Sequence, residues 1–528
     1  MKPFEKLFSV ARQPVFWVFL LAFGLRLFAC LNTYIVNPDG VHYIHQARSI
    51  FYNEWDLLTA CHITFVSPLP FLIAGAFGIF RDWIIAGRFV SLLFSFATLF
   101  PLYFLLKRFF DKTLTAVTLL VYALIPVFVS RSADIVRDPI FWFFICSGML
   151  LFIRHAESRA GRRHPIDLLY SCCLFMLAAW ARIEGVAFIF ASGLYLLIHR
   201  ADHRLQRLFF FSLPVLLAII LLSVAAFSDR SHEVFYRTDQ IRDGLIQFVS
   251  HYEAVRDQLG SLSKEAPGYL GEFFNKIRSI VWMAPIGLIF NTMLEGFFYP
   301  YALLFFLGWI GFRSRWSQDR RLGYFICLLV FSIVLLYVHL LQTWLIYNRF
   351  MAILIYPSFL IVGYGIDNTL AFLRTKCKLT PLTAVVSMVV FILAFGLGKN
   401  IRTNHEDKIV YRQVGEIIAG QKAAEQVVRI EGKPSTVYEW VFFYAHLRFP
   451  GALCTKGLTK PVPRKYQDIV KDMRVNGTRY LFYEENQWRK QGFDLMAAPF
   501  KQDFTLLGRW RHKDTGTLLL LQLKPAKN

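Results

Sequence analysis

The stretch NPDGVHYIHQA (37–47) places a carboxylate, Asp39, directly after an apolar run. A carboxylate there can take a proton from a hydroxyl or amine at a membrane surface. Asn37 suits an N-cap and Pro38 the first helical position, which predicts a short helix with Asp39 in its first turn. The helix dipole favours an ionised carboxylate there, so a purely stabilising loop carboxylate has the same spacing. Tyr43 and Ala47, at i+4 and i+8, share the Asp39 face, and His42 and Tyr43 are candidate pocket residues.

Other acids and arginines flank later apolar runs. Asp138 precedes Pro139, with Arg131, Asp134 and Arg137 around it; Arg182 and Glu184 lie in AAWARIEGVAF; Arg349 lies in QTWLIYNRF. Singly, each has a plain reading as an interface charge or a snorkelling arginine. Together they suit chemistry on a lipid-linked phosphate, because arginine pairs phosphate in a bidentate way and a carboxylate activates a hydroxyl. Asp39, His42 and His45 recur at three-residue spacing, with His62 in the same loop. They form a weak candidate set for a divalent metal, since interface histidines are commoner than ligands. No cofactor is otherwise required.

The elements that must hold these groups follow from composition. The chain has 528 residues, 56% hydrophobic and 18% charged. That is the signature of a polytopic membrane protein. The first apolar run contains Arg26 and lacks a small-x-small cleavage site, so it reads as a retained anchor. The +22 formal charge collects in short linkers: 107–112, 154–164, 200–207, 313–321 and 374–378. Alternate linkers are poor in Lys and Arg, which is a positive-inside pattern and argues against a nucleic-acid partner. Eleven spans are predicted: 15–33, 83–106, 113–130, 139–153, 166–181, 185–199, 208–227, 294–312, 322–346, 351–371 and 381–398.

With the N-terminus cytoplasmic, all four polar positions fall on the outer side. A first outer loop (34–82) and a second (228–293) complete a membrane module spanning 1–398. The stretches 67–80 and 277–291 are apolar but short, and read as interfacial. The second outer loop reads as helical in pieces. From 399 to 528 the texture changes to a small extracytoplasmic α/β domain. It has a helix over 407–423 and strands over 434–445, 478–485 and 516–525. Eight cysteines show no metal spacing. Cys61 and Cys454 both fall outside and could pair in an oxidising compartment, but two free thiols are the expectation there.

The order of PDGVHYIHQARSI, SPLPFLIAGAFGIF, WIIAGRFVSLLFSF, LIPVFVSRSADIVRDPIFWFF and LAAWARIEGVAFI resembles the GT-C glycosyltransferases, in particular the protein-mannosyltransferase and aminoarabinose-transferase-like group (glycosyltransferase family 39-like). The resemblance covers roughly residues 10–400. It implies a mainly α-helical polytopic enzyme that takes a sugar from a polyprenyl-phosphate donor, usually with inversion. The acceptor, a protein, glycolipid or glycan, lies on the periplasmic or luminal face, consistent with a bacterial inner membrane.

By this resemblance Asp39 is the catalytic base, and Asp138 and Glu184 form a second acidic site. Arg349, with Arg182 and Arg131, binds the donor phosphate. Two departures stand out: many members carry a second acid where Gly40 follows Asp39, and Ile183 replaces the usual proline of the Arg-Pro-Glu-Gly turn. A transporter or flippase for lipid-linked sugars is the first rival. Such proteins place ionisable groups at mid-bilayer, often within repeats, and neither pattern is evident here. A non-catalytic membrane scaffold is the second rival.

Overall fold

The computed structural model describes residues 13–61, 63–157, 165–199, 203–225, 231–433, 435–454, 465–490, 492–497 and 499–525. Among these, eight helices are long and apolar enough to cross a membrane, or nine if a bent pair forms one span. Seven of them match predicted spans: Pro14–Leu31, Trp83–Leu106, Asp138–Glu157, Arg204–Val224, Arg321–Thr343, Asn348–Thr375 and Pro381–Asn400. The predicted span 113–130 is the bent pair, Lys112–Leu124 and Pro126–Ala133, with a 55° break. Pro126 causes the break, because it cannot donate to the preceding turn.

Three predictions change. The stretch 277–291, read as interfacial, lies within Tyr269–Phe297, whose 29 residues suffice to span. The predicted spans 166–181 and 185–199 are the short helices Ile166–Ala181 and Ile183–Ile198. The predicted span 294–312 is replaced by Tyr299–Trp316, whose last turn carries Arg313 and Arg315. The described part of the second outer loop is helical in pieces, as expected: Ser231–Glu265, Tyr269–Ile280 and the start of Ala284–Phe297.

The described chain packs as two compact units. The first comprises the described part of Met1–Phe28 with Leu92–Ser132 and Arg137–Ile401; the second comprises Ala29–Ser91, Ala133–Val136 and Arg402–Asn528. The predicted boundary at 398/399 thus falls close to one division, but the first outer loop packs with the C-terminal region.

In the first unit, apolar side chains such as Leu205, Ile220 and Leu221 are exposed along Arg204–Ala225. Such an unpartnered apolar surface needs lipid. Helices Tyr299–Trp316 and Ala352–Thr375 cross closely at two glycines. A Cβ at Gly308 would lie 1.8 Å from the Ile361 carbonyl oxygen, and one at Gly365 1.8 Å from that of Leu304. Close backbone approach through small residues is how helices pack tightly without a hydrophobic drive between them. Arg26 is fully buried in the bundle. Its Nε donates to Ser95 Oγ at 2.9 Å, and its guanidinium lies 5.3 Å from the centre of the Tyr122 ring. At one end of the bundle Glu157 bridges Arg108 and Arg321. Three of the basic linkers therefore converge, as a positive-inside arrangement requires.

The second unit contains a four-stranded sheet: β1 (Ile430–Glu431), β2 (Tyr480–Glu484), β3 (Phe504–His512) and β4 (Gly516–Leu523), in the order β1-β2-β4-β3. β1 runs parallel to β2; β2 and β4 are antiparallel, with Tyr480 opposite Gln522; β3 and β4 form a hairpin with His512 opposite Gly516. Helix Tyr466–Val475 covers one face and buries Ile469 and Met473 with Leu481, Tyr483, Leu519 and Leu521.

The predicted strand over 434–445 is instead helix Thr436–Ala445. Ser435 caps it, its side chain accepting from the Tyr438 N–H. Val437, Tyr438 and every residue from Trp440 to Ala445 are buried. Burial on all sides leaves neither a helical nor a strand period to read. The helix over 407–423 is found as Ile409–Gly420, and the strands over 478–485 and 516–525 as β2 and β4.

Candidate active site

Asp39 lies in the first turn of helix Pro38–Phe51, half-buried. Pro38 supplies the fixed φ of a first helical position. Asn37 does not cap that helix through its side chain. Its Oδ1 instead accepts from the Ile135 N–H at 2.7 Å, and its Nδ2 donates to the Ile135 carbonyl at 3.3 Å. Gly40 packs beneath this pair. A Cβ there would lie 2.7 Å from Asn37 Oδ1, 2.9 Å from Ile135 Cβ and 2.9 Å from Val36 Cγ1. A second acid beside Asp39 therefore has no room, and the departure noted at Gly40 has a steric cause.

The rest of the Asp39 helix is tied to the C-terminal region within the same unit. The Val36 N–H donates to Tyr444 Oη at 2.9 Å, and Trp440 Nε1 donates to the Val36 carbonyl at 2.7 Å. Arg48, buried, donates to the carbonyls of His446 and Phe449. Burial lowers the pKa of its guanidinium to about 10. Glu54 accepts from the Ala452 N–H at 2.6 Å. Cys61 and Cys454 form a disulfide with Cα atoms 5.7 Å apart. The expectation of two free thiols is thus overturned. Their 393-residue separation hides the pairing, which arises because the loop and the segment 446–454 are packed together.

His42 and Tyr43 follow Asp39 on the helix. Tyr43 is buried, while His42 Nε2 lies 3.5 Å from Glu439 Oε2. Glu439 was not singled out from sequence, because its helix reads as a strand. His42 and Glu439 line a small cavity of about 40 Å³ with His45, Arg48 and His446.

Among the described residues, Asp39, His42 and His45 are not gathered about one point. Both ring nitrogens of His45 face backbone carbonyls, Nδ1 that of Leu453 at 3.0 Å and Nε2 that of Leu57 at 2.9 Å, so no lone pair is directed at a metal shared with Asp39. Burial lowers the His45 pKa below its ordinary value. His62 lies outside the described residues. Among the described residues, Asp407, His512 and Asp514 could converge on an ion, although the Lys513 ammonium already lies 3.3 Å from Asp407.

In the first unit, Asp138 opens helix Asp138–Glu157 and is 1% exposed. Arg182, in an extended conformation between helix Ile166–Ala181 and the turn Ile183–Gly185, donates from Nη1 to Asp138 Oδ1 at 2.6 Å. Its Nη2 and Nε reach the two oxygens of Glu184. The expected second acidic site is therefore brought together around Arg182. That guanidinium is engaged by two carboxylates, and its Cζ lies 4.8 Å from the Phe350 ring centre. Arg349, in the turn Asn348–Met351, is half-buried and lies 5.6 Å from the same ring centre. Arg131 ends helix Pro126–Ala133, also half-buried.

Residues 67–227 match the family model for dolichyl-phosphate-mannose-protein mannosyltransferase. No curated protein sequence matches the chain. Among solved structures, it is similar to ArnT from Cupriavidus metallidurans bound to undecaprenyl phosphate. The two are 13% identical, with a TM-score of 0.60, over 97% of this chain and 98% of that one. The apo form of that protein matches at the same TM-score with 12% identity, over 96% of this chain and 97% of that one. The Archaeoglobus fulgidus oligosaccharyltransferase, in complex with Zn and sulfate, matches at 12% identity and a TM-score of 0.56, over 96% of this chain and 72% of that one.

Proposed function

The chain has the GT-C fold of integral membrane glycosyltransferases, and on that premise we propose that it moves a sugar from a polyprenyl-phosphate donor to an acceptor. Asp39 is the base of this reaction. Its carboxylate takes the proton of the acceptor hydroxyl or amine as that atom bonds to the anomeric carbon. The bond from the anomeric carbon to the phosphate oxygen breaks, polyprenyl phosphate leaves, and a single displacement inverts the centre. Arg349 neutralises the departing phosphate, which limits the need for acid catalysis. Arg182 is paired with Asp138 and Glu184, so it acts as a positioning residue. A divalent metal has no step in this reading, because the Asp39, His42 and His45 set does not fit one.

The observation that carries the reading is the placement of Asp39. It is a partly exposed carboxylate at a helix start, on a loop fixed by the Asn37 side chain, within a GT-C fold. In this reading the basic linkers put the N-terminus in the cytoplasm and the C-terminal region in the periplasm of a bacterial inner membrane. The acceptor is a protein, glycolipid or glycan.

The test is to incubate the purified protein with a panel of polyprenyl-phosphate sugars and measure release of polyprenyl phosphate. Turnover with at least one donor, and a KM for it raised about tenfold by Arg349→Gln, are expected. A protein that moves lipid-linked sugars across vesicles without releasing carrier phosphate would be a transporter, and the proposal would fall.

A further inference from the structure

The break between Lys112–Leu124 and Pro126–Ala133 frees backbone carbonyls inside the first unit. Pro126 has no N–H to return to the Tyr122 carbonyl. The Phe128 N–H donates to the Ile125 carbonyl at 3.1 Å, three residues back, which leaves that of Leu124 to another donor. Within a membrane such carbonyls need partners from neighbouring helices, because no water is at hand to take them. Two side chains supply them. Asn400, buried at the end of helix Pro381–Asn400, donates from Nδ2 to the carbonyls of Leu124 and Gly396, each at 2.8 Å. Arg26, in helix Pro14–Leu31, donates from Nη1 to the Ala123 carbonyl at 3.4 Å while Ser95 holds its Nε.

The surroundings fit both groups to this place. Gly396 lets the last helix approach the break: a Cβ there would lie 2.3 Å from Tyr301 Oη and 2.8 Å from Leu124 Cβ. Ala123 and Leu124 close their helix, where the backbone dipole leaves partial negative charge. A guanidinium is favoured at that end, which suits the fully buried Arg26 to it.

The short helix beyond the break carries Arg131. Phe128, one turn before it, has its ring 5.1 Å from that of Tyr356 and 4.8 Å from that of Trp142. At the other end of the span Phe110 meets Tyr364, with ring centres 5.0 Å apart, and Arg108 pairs with Glu157. Helices Ala352–Thr375 and Asp138–Glu157 therefore both run opposite to the broken span. Arg131, one turn beyond Phe128, comes to the end where Asp138 precedes Trp142 and Arg349 precedes Tyr356.

We propose that Arg26 and Asn400 are positioning residues, which cap the broken span and hold it bent so that Arg131 stands with Arg349 at the donor phosphate. The role of Arg131 rests on the glycosyl-transfer reading; the cap on the break does not.

The experiment compares Asn400→Leu in the parent and in Pro126→Ala, which returns an N–H to the Tyr122 carbonyl and lets the helix run on. In detergent-solubilised protein without donor, Asn400→Leu should lower the unfolding temperature and speed hydrogen exchange of the 127–133 amides about tenfold. Both effects should shrink in the Pro126→Ala background. Equal losses in the two backgrounds, or unchanged exchange at 127–133, overturn the cap. Arg26→Met should act as Asn400→Leu does, and Arg26→Lys, which keeps a cation at the helix end, should recover part of the loss. A lysine no better than methionine overturns the part given to Arg26.

With a working donor, Asn400→Leu and Arg131→Gln should each raise the donor KM about tenfold and leave kcat unchanged. The double variant should go no further than Arg131→Gln alone. An unchanged KM, or effects that multiply, overturns the placing of Arg131. A protein that turns over no donor loses the transfer reading, while exchange and unfolding still decide the cap.

Discussion

Asn37 holds both polar groups of the Ile135 peptide, accepting from its N–H at 2.7 Å and donating to its carbonyl at 3.3 Å. Two residues before Asp39, a single side chain thus satisfies a buried turn from another part of the chain. Asn37→Ala would leave that N–H and carbonyl unpaired, at a cost of about 1–3 kcal/mol each. Thermal unfolding of the solubilised protein should show the loss. Gly40→Asp, which puts a second acid beside Asp39, should lose stability rather than gain activity. Overpacking against Asn37 and Ile135 costs about 1–3 kcal/mol. A Gly40→Asp protein as stable as the parent would contradict the packing at this position.

Arg182 should show the behaviour of a buried ion network. Arg182→Gln removes the ion pairs to Asp138 and Glu184, and breaking a buried pair costs about 3–5 kcal/mol. Adding Asp138→Asn to Arg182→Gln should recover part of that loss. A double variant no more stable than the single one would show that the Asp138 carboxylate is not the source of the penalty.

The Cys61–Cys454 bridge should stabilise the region around the Asp39 helix. Replacing both by serine is expected to cost about 2–4 kcal/mol. Non-reducing and reducing gel mobility of fragments cleaved between the two positions would establish the linkage first.

Acid should destabilise the second unit through His446. Burial lowers its pKa to about 4 from the ordinary 6.5. Its Nε2 accepts from the Val428 N–H at 3.0 Å, and its Nδ1 donates to the Phe442 carbonyl at 3.0 Å, an arrangement that requires the neutral ring. A base with a depressed folded-state pKa contributes stability that is complete above 6.5 and is lost as pH falls towards 4. The loss is on the order of 3 kcal/mol. Denaturation midpoints measured from pH 7 to pH 4 should fall more steeply for the parent than for His446→Gln.

Much of the membrane unit was legible because an apolar run near twenty residues has few other homes, and the linker charges followed. The short helix bearing Asp39 was legible from Asn37 and Pro38, although Asn37 turned out to serve Ile135. Helix Thr436–Ala445 was not legible: its Val, Tyr, Trp and Phe residues favour strands, and burial on all sides removes the period. With it went Glu439, the partner of His42. The disulfide and the grip of Arg48 on residues 446–449 were invisible for another reason. They join positions some 400 apart, and nothing local records them. The assembly of Asp138, Arg182 and Glu184 was legible as residue types but not as one network, since its geometry depends on a turn without the usual proline.

The base assignment is tested most directly by the kcat of Asp39→Asn with a donor that the parent turns over. The substitution keeps the size of the side chain and removes the basic carboxylate, so kcat should fall by about 10²–10⁴, with donor affinity unchanged. Turnover by Asp39→Asn equal to that of the parent would contradict the account.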